Sequence, residues 1–134
     1  MNKACPVVLR YKDNELELLA FEHPDKGNQF VKGGIKKGEQ LDDACVRELE
    51  EESGIQAEVV KRLGVWQPGF KGQLWGFCLM HYEGILPDTW VFETKDDGGH
   101  IFSFFWQPLD SQLNGNWTEV SANAFQYIKQ ALDK

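Results

Sequence analysis

Basic residues are the scarce class in this chain of 134 residues. Fourteen lysines and arginines stand against 21 aspartates and glutamates, which gives a formal net charge of -7 and a pI of about 4.9. General binding to nucleic acid backbones depends on basic patches, so this balance argues against nucleic acid as a partner. A small phosphorylated ligand remains compatible with it, because a bound metal ion can supply positive charge.

Cysteines and long apolar runs are also scarce. The three cysteines (Cys5, Cys45 and Cys78) are far apart and form no CxxC pair, which argues against a disulfide framework and a zinc site. The first residues lack the apolar core of a signal peptide, and no apolar run approaches the ~20 residues of a membrane span. We therefore expect reduced thiols in a cytoplasmic protein without a membrane segment.

The chain shows no internal repeat, linker or low-complexity segment, so we expect a single domain over residues 1–134. Strands are predicted at 7–10, 16–21, 57–66, 74–82, 90–94 and 101–106, from their content of Val, Phe and Trp. A helix is predicted from Glu39 or Gln40 to about Ser53, ended by Gly54, and a second helix with Ser121 as its N-cap. Strands interleaved with two helices indicate a layered α/β or α+β domain.

The first predicted helix carries an unusual set of glutamates. At ~100° per residue, Glu48 and Glu52 fall ~40° apart within the apolar stripe of the helix, Glu51 lies at its edge, and Glu50 points the other way. The stripe itself consists of Leu41, Ala44, Cys45 and Leu49. Two carboxylates, with a third beside them, are thus predicted to face the protein.

Such a cluster is unfavourable for a helix alone. Like charges at i,i+4 repel, acids near a helix C-terminus oppose the helix dipole, and a partly buried carboxylate needs a partner. A divalent cation relieves all three costs, and magnesium prefers oxygen ligands. The alternative is an ordinary solvated acidic face, which suits Glu50 but not Glu48 and Glu52 on the apolar stripe.

Two further features flank this cluster. Arg47 can pair with Glu39 or Glu51 and hold the glutamates in place, or it can form an ordinary exposed ion pair. Gly33 and Gly34 precede the helix in a glycine-rich loop. They are either turn glycines or positions where the backbone approaches a phosphate or a metal closely.

Taken together, these positions resemble the Nudix box. Gly33, then Glu39 after five residues, then Arg47 to Ile55 after seven more match G-x5-E-x7-R-E-U-x-E-E-x-G-U at each specified position, where U is a bulky aliphatic residue. The box covers residues 33–55. The chain is therefore identified as a member of the Nudix hydrolase family, of the MutT-like type, without a subfamily.

The resemblance implies an α/β/α sandwich with a mixed β-sheet. It implies metal-dependent cleavage, with Mg2+ or Mn2+, of a phosphoanhydride bond in a nucleoside diphosphate linked to another group. Examples are a (d)NTP, a dinucleoside polyphosphate and a nucleotide sugar. By this resemblance Glu48, Glu51 and Glu52 are metal ligands, and Glu48, Glu51 and Arg47 carry the catalysis.

The expected ligand is a small nucleoside diphosphate derivative, bound by a monomer or a homodimer. Lys32, Gly33 and Gly34 are the expected substrate-binding residues of the loop. Trp66, Phe70, Trp75 and Trp90 are candidates for stacking on a base, although core aromatics are the commoner case. Among these four, Trp66 is our predicted substrate contact.

Several alternatives remain open from the sequence. The general base is Glu51 or a residue of a distal loop, for which Glu93, Asp96, Asp97 and His100 are the candidates. The chain departs from many relatives by having Val31-Lys32 ahead of the box, and no motif of a substrate subclass is present. A non-catalytic Nudix-like binding module and an RNA 5'-end pyrophosphohydrolase are the competing functions.

Overall fold

Two β-sheets lie between two helices in the computed structural model, which describes residues 1–95 and 99–133. The helices are α1 (Leu41–Ser53) and α2 (Glu119–Leu132). The strands are β1 (Lys3–Val7), β2 (Leu9–Lys12), β3 (Glu15–His23), β4 (Gly27–Gln29), β5 (Gly33–Gly34), β6 (Glu58–Trp66), β7 (Trp75–His81), β8 (Trp90–Glu93) and β9 (Ile101–Pro108).

The first sheet is mixed, as expected. Its order is β5-β1-β7-β6, with β1 and β7 parallel and the other pairs antiparallel. The second sheet has the order β2-β3-β9-β8, with β4 added beside β3, and it is antiparallel. This arrangement confirms the predicted α/β class with a mixed sheet.

The hydrophobic core is divided into two clusters because strand side chains alternate between the faces of a sheet. Ala4 and Cys78 belong to the cluster that includes Leu49 of α1. Their strand neighbours Cys5 and Phe77 belong to the cluster that contains Phe125 and Ile128 of α2. Each helix thus covers its own core cluster, as in a three-layer sandwich.

Helix α1 buries the face that the sequence predicts. Leu41, Ala44, Cys45 and Leu49 are buried, and Glu48 is only 6% exposed among them, whereas Glu50 is exposed. The helix ends at Gly54, whose φ of 80° is left-handed and whose N–H donates to Glu50 O at 2.9 Å. This end confirms the predicted C-terminal glycine.

Two predictions of local structure differ from the structure. Thr118, not Ser121, is the N-cap of α2: its side-chain oxygen accepts from the Ser121 N–H. The strand predicted at 7–10 is divided between β1, which starts at Lys3 and contains Pro6, and β2, which starts at Leu9. Proline is uncommon inside a strand because it has no N–H to donate to a neighbouring strand. Since β5 pairs only with Lys3 and Ala4, Pro6 lies where one side of β1 has no neighbouring strand.

Within residues 1–95 and 99–133, neither helix has the length and apolar character needed to span a membrane.

Candidate active site

A recess of about 390 Å³ collects most of the residues that the sequence singles out. One wall is formed by β5 and the residue before it, and a second by the C-terminal half of α1. The third is formed by the residues between β8 and β9 and by the start of β9. Its lining consists of Lys32, Gly33, Gly34, Glu48, Glu52, Thr94, His100 and Phe102. The fold thus brings the loop glycines and two of the predicted metal ligands to one place.

The Glu48 carboxyl group occupies the space beside Gly33. A β-carbon added to Gly33 would coincide with the Glu48 carboxyl group, whereas a β-carbon on Gly34 would meet nothing within 4 Å. The carboxylate therefore occupies the space that a side chain at residue 33 would fill. This contact explains the first glycine of the box by packing rather than by backbone strain.

Arg47 connects the loop to the helix through all five of its N–H donors. Nε and Nη2 donate to the two oxygens of Glu39, each at 2.8 Å, and Nη2 also donates to Gly34 O at 2.8 Å. Nη1 donates to Glu48 Oε1 at 2.8 Å and to Glu51 Oε2 at 3.3 Å. The predicted pairings with Glu39 and Glu51 are both present, and the contact with Gly34 was not foreseen.

The Arg47–Glu39 pair is bidentate and electrostatically strong. The hydrogen bonds from Arg47 and from the Lys36 backbone N–H lower the pKa of Glu39 from 4.5 to about 2. The same contact, followed by the one with Glu48, raises the pKa of Arg47. Glu39 therefore stays ionised at neutral pH and orients the guanidinium that holds Glu48 and Glu51.

Glu51 faces a different recess from Glu48 and Glu52. It lies with Glu50, Phe92, Glu93 and Lys95 around a space of about 260 Å³ beside β8. Across residues 1–95 and 99–133, no group of three His, Cys, Asp or Glu side chains is gathered into a ready-made metal site. Arg47 thus joins Glu48 to Glu51, and Glu52 shares the recess with Glu48, but the three predicted ligands do not converge on one point.

The donor set still suits a magnesium-like cation. Glu48 and Glu52 line the same recess, and the Arg47 contact uses Oε1 of Glu48. Mg2+ is commonly held by one or two carboxylates, with water and substrate phosphate completing its six oxygens. Glu48 and Glu52 therefore fit as the protein's part of such a shell.

The wall opposite the glutamates has a different character. Thr94 and His100 are tied by two hydrogen bonds, from Thr94 N to His100 O at 2.8 Å and from His100 N to Thr94 Oγ1 at 3.2 Å. The His100 ring lies 4.9 Å from that of the buried His23. His23 Nδ1 accepts from the Asp25 N–H at 3.0 Å, which is the role of a neutral ring.

Electrostatics agrees with that assignment. Burial, with help from His100 and Lys26, lowers the pKa of His23. Burial also lowers the pKa of Lys32, while nearby Glu52 opposes the shift. Sequence reasoning missed Thr94 and Phe102 in the lining and His23 beside it, because the pairing of β3 with β9 sets His23 against Phe102 and the β8–β9 connection places Thr94.

The distal candidates for a general base are separated by the fold. His100 lines the recess with Glu48 and Glu52, whereas Glu93 is exposed and lies on the Glu51 side. Asp96 and Asp97 lie outside the described residues. Among the described candidates of that loop, His100 thus lies with Glu48 and Glu52, and Glu93 lies with Glu51.

The candidate stacking aromatics lie in varied environments. Trp75 is fully buried, so it is a core residue and cannot receive a base. Trp66 packs edge-on against Trp75, with 5.3 Å between the ring centroids, and lies near Tyr127. In the first sheet, the paired residues Gly34, Lys3, Trp75 and Trp66 follow one another across the four strands, so Trp66 lies three strands from Gly34. Trp66 is not among the residues that line the recess.

The other two aromatics also lie outside the recess. Trp90 stacks on Phe104 at 4.9 Å, and Phe70 is 46% exposed.

Volume alone does not identify the site. A larger recess, about 880 Å³, lies at the C-terminal end of α1 between Gly54, Glu58, His81 and Trp90. It contains neither the loop glycines nor Glu48 and Glu52. The smaller recess is the better candidate because it combines carboxylates, a lysine, a histidine and accessible backbone.

One known domain family matches nearly the whole chain. The family model of the NUDIX domain matches residues 2–130. The chain belongs to the Nudix domain family. The segment that carries the Nudix box supplies Gly33, Gly34, Glu48 and Glu52 to the lining of the recess.

Individual relatives are distant from this Nudix chain. "Nudix hydrolase 4" of Arabidopsis thaliana is 36% identical over 70 residues, which cover 46% of this chain and 34% of that relative. The match thus spans about a third of the relative's length.

Solved structures share the Nudix fold at low identity. An ADP-ribose pyrophosphatase from Streptococcus suis has a TM-score of 0.66 at 15% identity, covering 98% of this chain and 88% of that one. A C. elegans Ap4A hydrolase has a TM-score of 0.67 at 15% identity, covering 98% of each chain. These likenesses concern the fold alone.

Proposed function

We propose that this Nudix chain is a metal-dependent hydrolase of a phosphoanhydride bond in a nucleoside diphosphate linked to another group. The substrate is a (d)NTP, a dinucleoside polyphosphate, a nucleotide sugar or a compound of that class. The names of the structural neighbours, an ADP-ribose pyrophosphatase and an Ap4A hydrolase, are in keeping with a small nucleotide derivative as ligand. Mg2+ or Mn2+ is the proposed cofactor.

One observation carries the proposal. The Glu48 carboxylate fills the space beside Gly33 and lines the same recess as Glu52. Arg47 Nη1 donates a hydrogen bond to Glu48 Oε1 and holds this carboxylate in place. With Oε1 of the buried carboxylate paired in this way, a cation in the recess would lower the cost of its burial further. Its second oxygen and the Glu52 carboxylate supply oxygen ligands on the side of the loop backbone.

Each residue has a defined task in this proposal. Glu48 and Glu52 hold the cation, which when bound neutralises charge on the pyrophosphate and lowers the pKa of a water molecule. Arg47, oriented by Glu39, positions Glu48 and Glu51. Lys32 and the backbone of Gly33 and Gly34 receive phosphate oxygens. Glu51 or His100 accepts the proton of the attacking water.

Two alternatives make different predictions. A Nudix-like module that binds a nucleotide without turnover has no need of an intact Arg47–Glu48–Glu52 arrangement, and this chain retains it. An RNA 5'-end pyrophosphohydrolase needs a basic path for the RNA chain, which the net charge of -7 does not favour. The cytoplasmic location and the monomeric or homodimeric state remain predictions.

A phosphate-release assay tests the proposal. Nucleotide sugars, dinucleoside polyphosphates, (d)NTPs and 5'-triphosphorylated RNA are each incubated with the protein and either Mg2+, Mn2+ or EDTA. We expect turnover of at least one small nucleotide compound that EDTA abolishes. Tight binding without turnover of any compound supports the binding module instead, and turnover confined to RNA supports the second alternative.

A further inference from the structure

The recess of about 880 Å³ at the C-terminal end of α1 has no task in the proposed function. It is formed by the segment that follows α1, by the end of β7 with the residues after it, and by the start of β8. It shares no lining residue with the recess that contains Glu48 and Glu52. We call it the α1-end recess. Its volume lies within the range of small-molecule sites, which is about 300–1,000 Å³.

One part of the α1-end recess is apolar and aromatic. Its side chains are buried or half-buried, and they are Ile55, Ala57, Tyr82, Leu86 and Trp90. The Trp90 ring stacks on Phe104 with 4.9 Å between the ring centroids, and its Nε1 donates to Ser53 O at 3.3 Å. Trp90 is thus held to the end of α1, and it offers a fixed aromatic surface to a ligand with an apolar body.

The ionisable side chains of the α1-end recess are mainly acidic. Glu58 and Glu83 are exposed carboxylates, and none of the described residues that line the recess is a lysine or an arginine. His81 is the Cα partner of Glu58 between β6 and β7, and its Nε2 lies 3.1 Å from Glu83 Oε1. The C-terminal end of a helix carries partial negative charge, and the last turn of α1 has no basic residue. The recess therefore favours a positively charged ligand.

This combination selects an organic cation among the ligand classes. A phosphate group would face Glu58 and Glu83 without a basic side chain from the described lining. A metal ion would gain nothing from the apolar part, and no group of three His, Cys, Asp or Glu side chains within residues 1–95 and 99–133 forms a metal site. An ammonium group gains from the carboxylates and from the aromatic rings, because the face of an aromatic ring attracts cations.

We propose that the α1-end recess binds a small organic cation with an apolar body, of the quaternary or alkyl ammonium class. Glu58 and Glu83 supply the opposite charge, and Trp90 and Tyr82 supply the aromatic surface. The inference goes beyond the proposed function and does not depend on it, because the two recesses have no lining residue in common.

Two probes of the same shape test the need for positive charge. Choline carries a trimethylammonium group, and 3,3-dimethylbutan-1-ol carries an uncharged tert-butyl group in its place. Two-dimensional NMR of the isotope-labelled protein follows the indole N–H of Trp90, which is assigned by its loss in Trp90→Phe. Its chemical shift during each titration, at one ionic strength, gives the Kd of that probe.

We expect choline to bind about 10-fold more tightly than the neutral probe, since it gains both ion pairing and cation–π attraction. Glu58→Gln and Glu83→Gln should each weaken choline binding about 2- to 5-fold, as loss of one exposed ion pair does. Glu119→Gln is the matched control, because it removes the same charge from an exposed residue of α2, which covers the other core cluster. It should leave the Kd of choline unchanged.

Equal affinities for the two probes would overturn the inference, and so would the absence of any choline-dependent shift at the Trp90 indole N–H. A loss of affinity in Glu119→Gln as large as that in Glu58→Gln would also overturn it, because net charge would then be the cause. Loss of affinity in Glu58→Gln and Glu83→Gln alone, with discrimination between the probes in wild type, would support the site.

Discussion

Gly33 and Gly34 are neighbours in β5 but differ in what a side chain would meet. The Glu48 carboxyl group occupies the position of a β-carbon at residue 33, and nothing lies within 4 Å of one at residue 34. Gly33→Ala should therefore displace Glu48 and cost about 1–3 kcal/mol of unfolding free energy, as overpacking does. Gly34→Ala should change it by less than about 0.5 kcal/mol.

Urea denaturation of the two variants beside wild type measures both effects. Comparable stability losses at the two glycines would mean that backbone freedom, not the Glu48 carboxylate, requires glycine in this loop.

Arg47 depends on the shape of its guanidinium as well as on its charge. Lysine keeps the charge but cannot replace five N–H donors that point to Glu39, Gly34, Glu48 and Glu51 at once. Arg47→Lys should lower kcat about 10²-fold through misplaced carboxylates, with the protein still folded at 25 °C. Steady-state kinetics and circular dichroism on the same preparation check this, and a kcat near that of wild type would show that the carboxylates need no such positioning.

The sequence predicts these residues unequally well. The pairings of Arg47 with Glu39 and Glu51 follow from helical spacing and from the box, and the burial of Glu48 follows from the helical wheel. The contact of Arg47 with Gly34 O depends on how the loop folds against α1, and the approach of His23 to Phe102 depends on the pairing of β3 with β9, which no local pattern encodes.

At the scale of elements, the loop before α1 is held to the helix by an ion pair whose stability depends on pH. Arg47 and the Lys36 N–H lower the pKa of Glu39 from 4.5 to about 2. A carboxyl group with a lowered folded-state pKa stabilises the fold above its unfolded pKa, and this contribution is lost as pH falls toward the folded pKa.

The comparison of wild type with Glu39→Gln isolates this contribution. The difference in unfolding free energy between the two proteins should be constant above about pH 5, shrink below pH 4.5 and approach a minimum near pH 2. Urea titrations at a series of pH values give that difference. A difference that does not change between pH 5 and pH 2 would show that Glu39 titrates normally in the folded state.

Helix α1 and the longer strands could be predicted because periodicity and the terminal Gly54 are local signals. Strands β4 and β5 are too short to carry a period, and β1 contains Pro6 in an otherwise strand-like run. The start of α2 was placed three residues late because Ser121 and Thr118 are both acceptable N-caps, and only the structure shows which oxygen accepts. The local sequence thus predicts the buried face of a helix more reliably than the residue at which the helix begins.

For the whole molecule, cation binding should be visible as stability. A ligand that binds only the folded state stabilises it by about 2.7 kcal/mol at a hundredfold excess over Kd, which raises the Tm of a domain of this size by several degrees. Mg2+ or Mn2+ should therefore raise the Tm, and NaCl at equal ionic strength should do much less. Scanning calorimetry of wild type and Glu52→Gln checks this, and equal shifts in the two proteins would argue against a site at Glu52.

The whole-molecule charge also affects what can be expected of ligands. A net charge of -7 repels phosphate compounds at long range, so their binding requires local positive charge, which the proposed cation at Glu48 and Glu52 and the Lys32 side chain would supply. Composition predicts the need for a cation, but the place of Lys32 in the lining of the recess depends on the fold.

The most direct test of the account is the turnover of three glutamine variants on the best substrate found. Glu48→Gln and Glu52→Gln keep size and remove the charge that holds the cation, so each should lower kcat by at least ~10²-fold. Glu50→Gln, at an exposed position of the same helix, should stay close to wild type. Wild-type turnover in both Glu48→Gln and Glu52→Gln, or an equal loss in Glu50→Gln, would contradict the assignment of the recess as the active site.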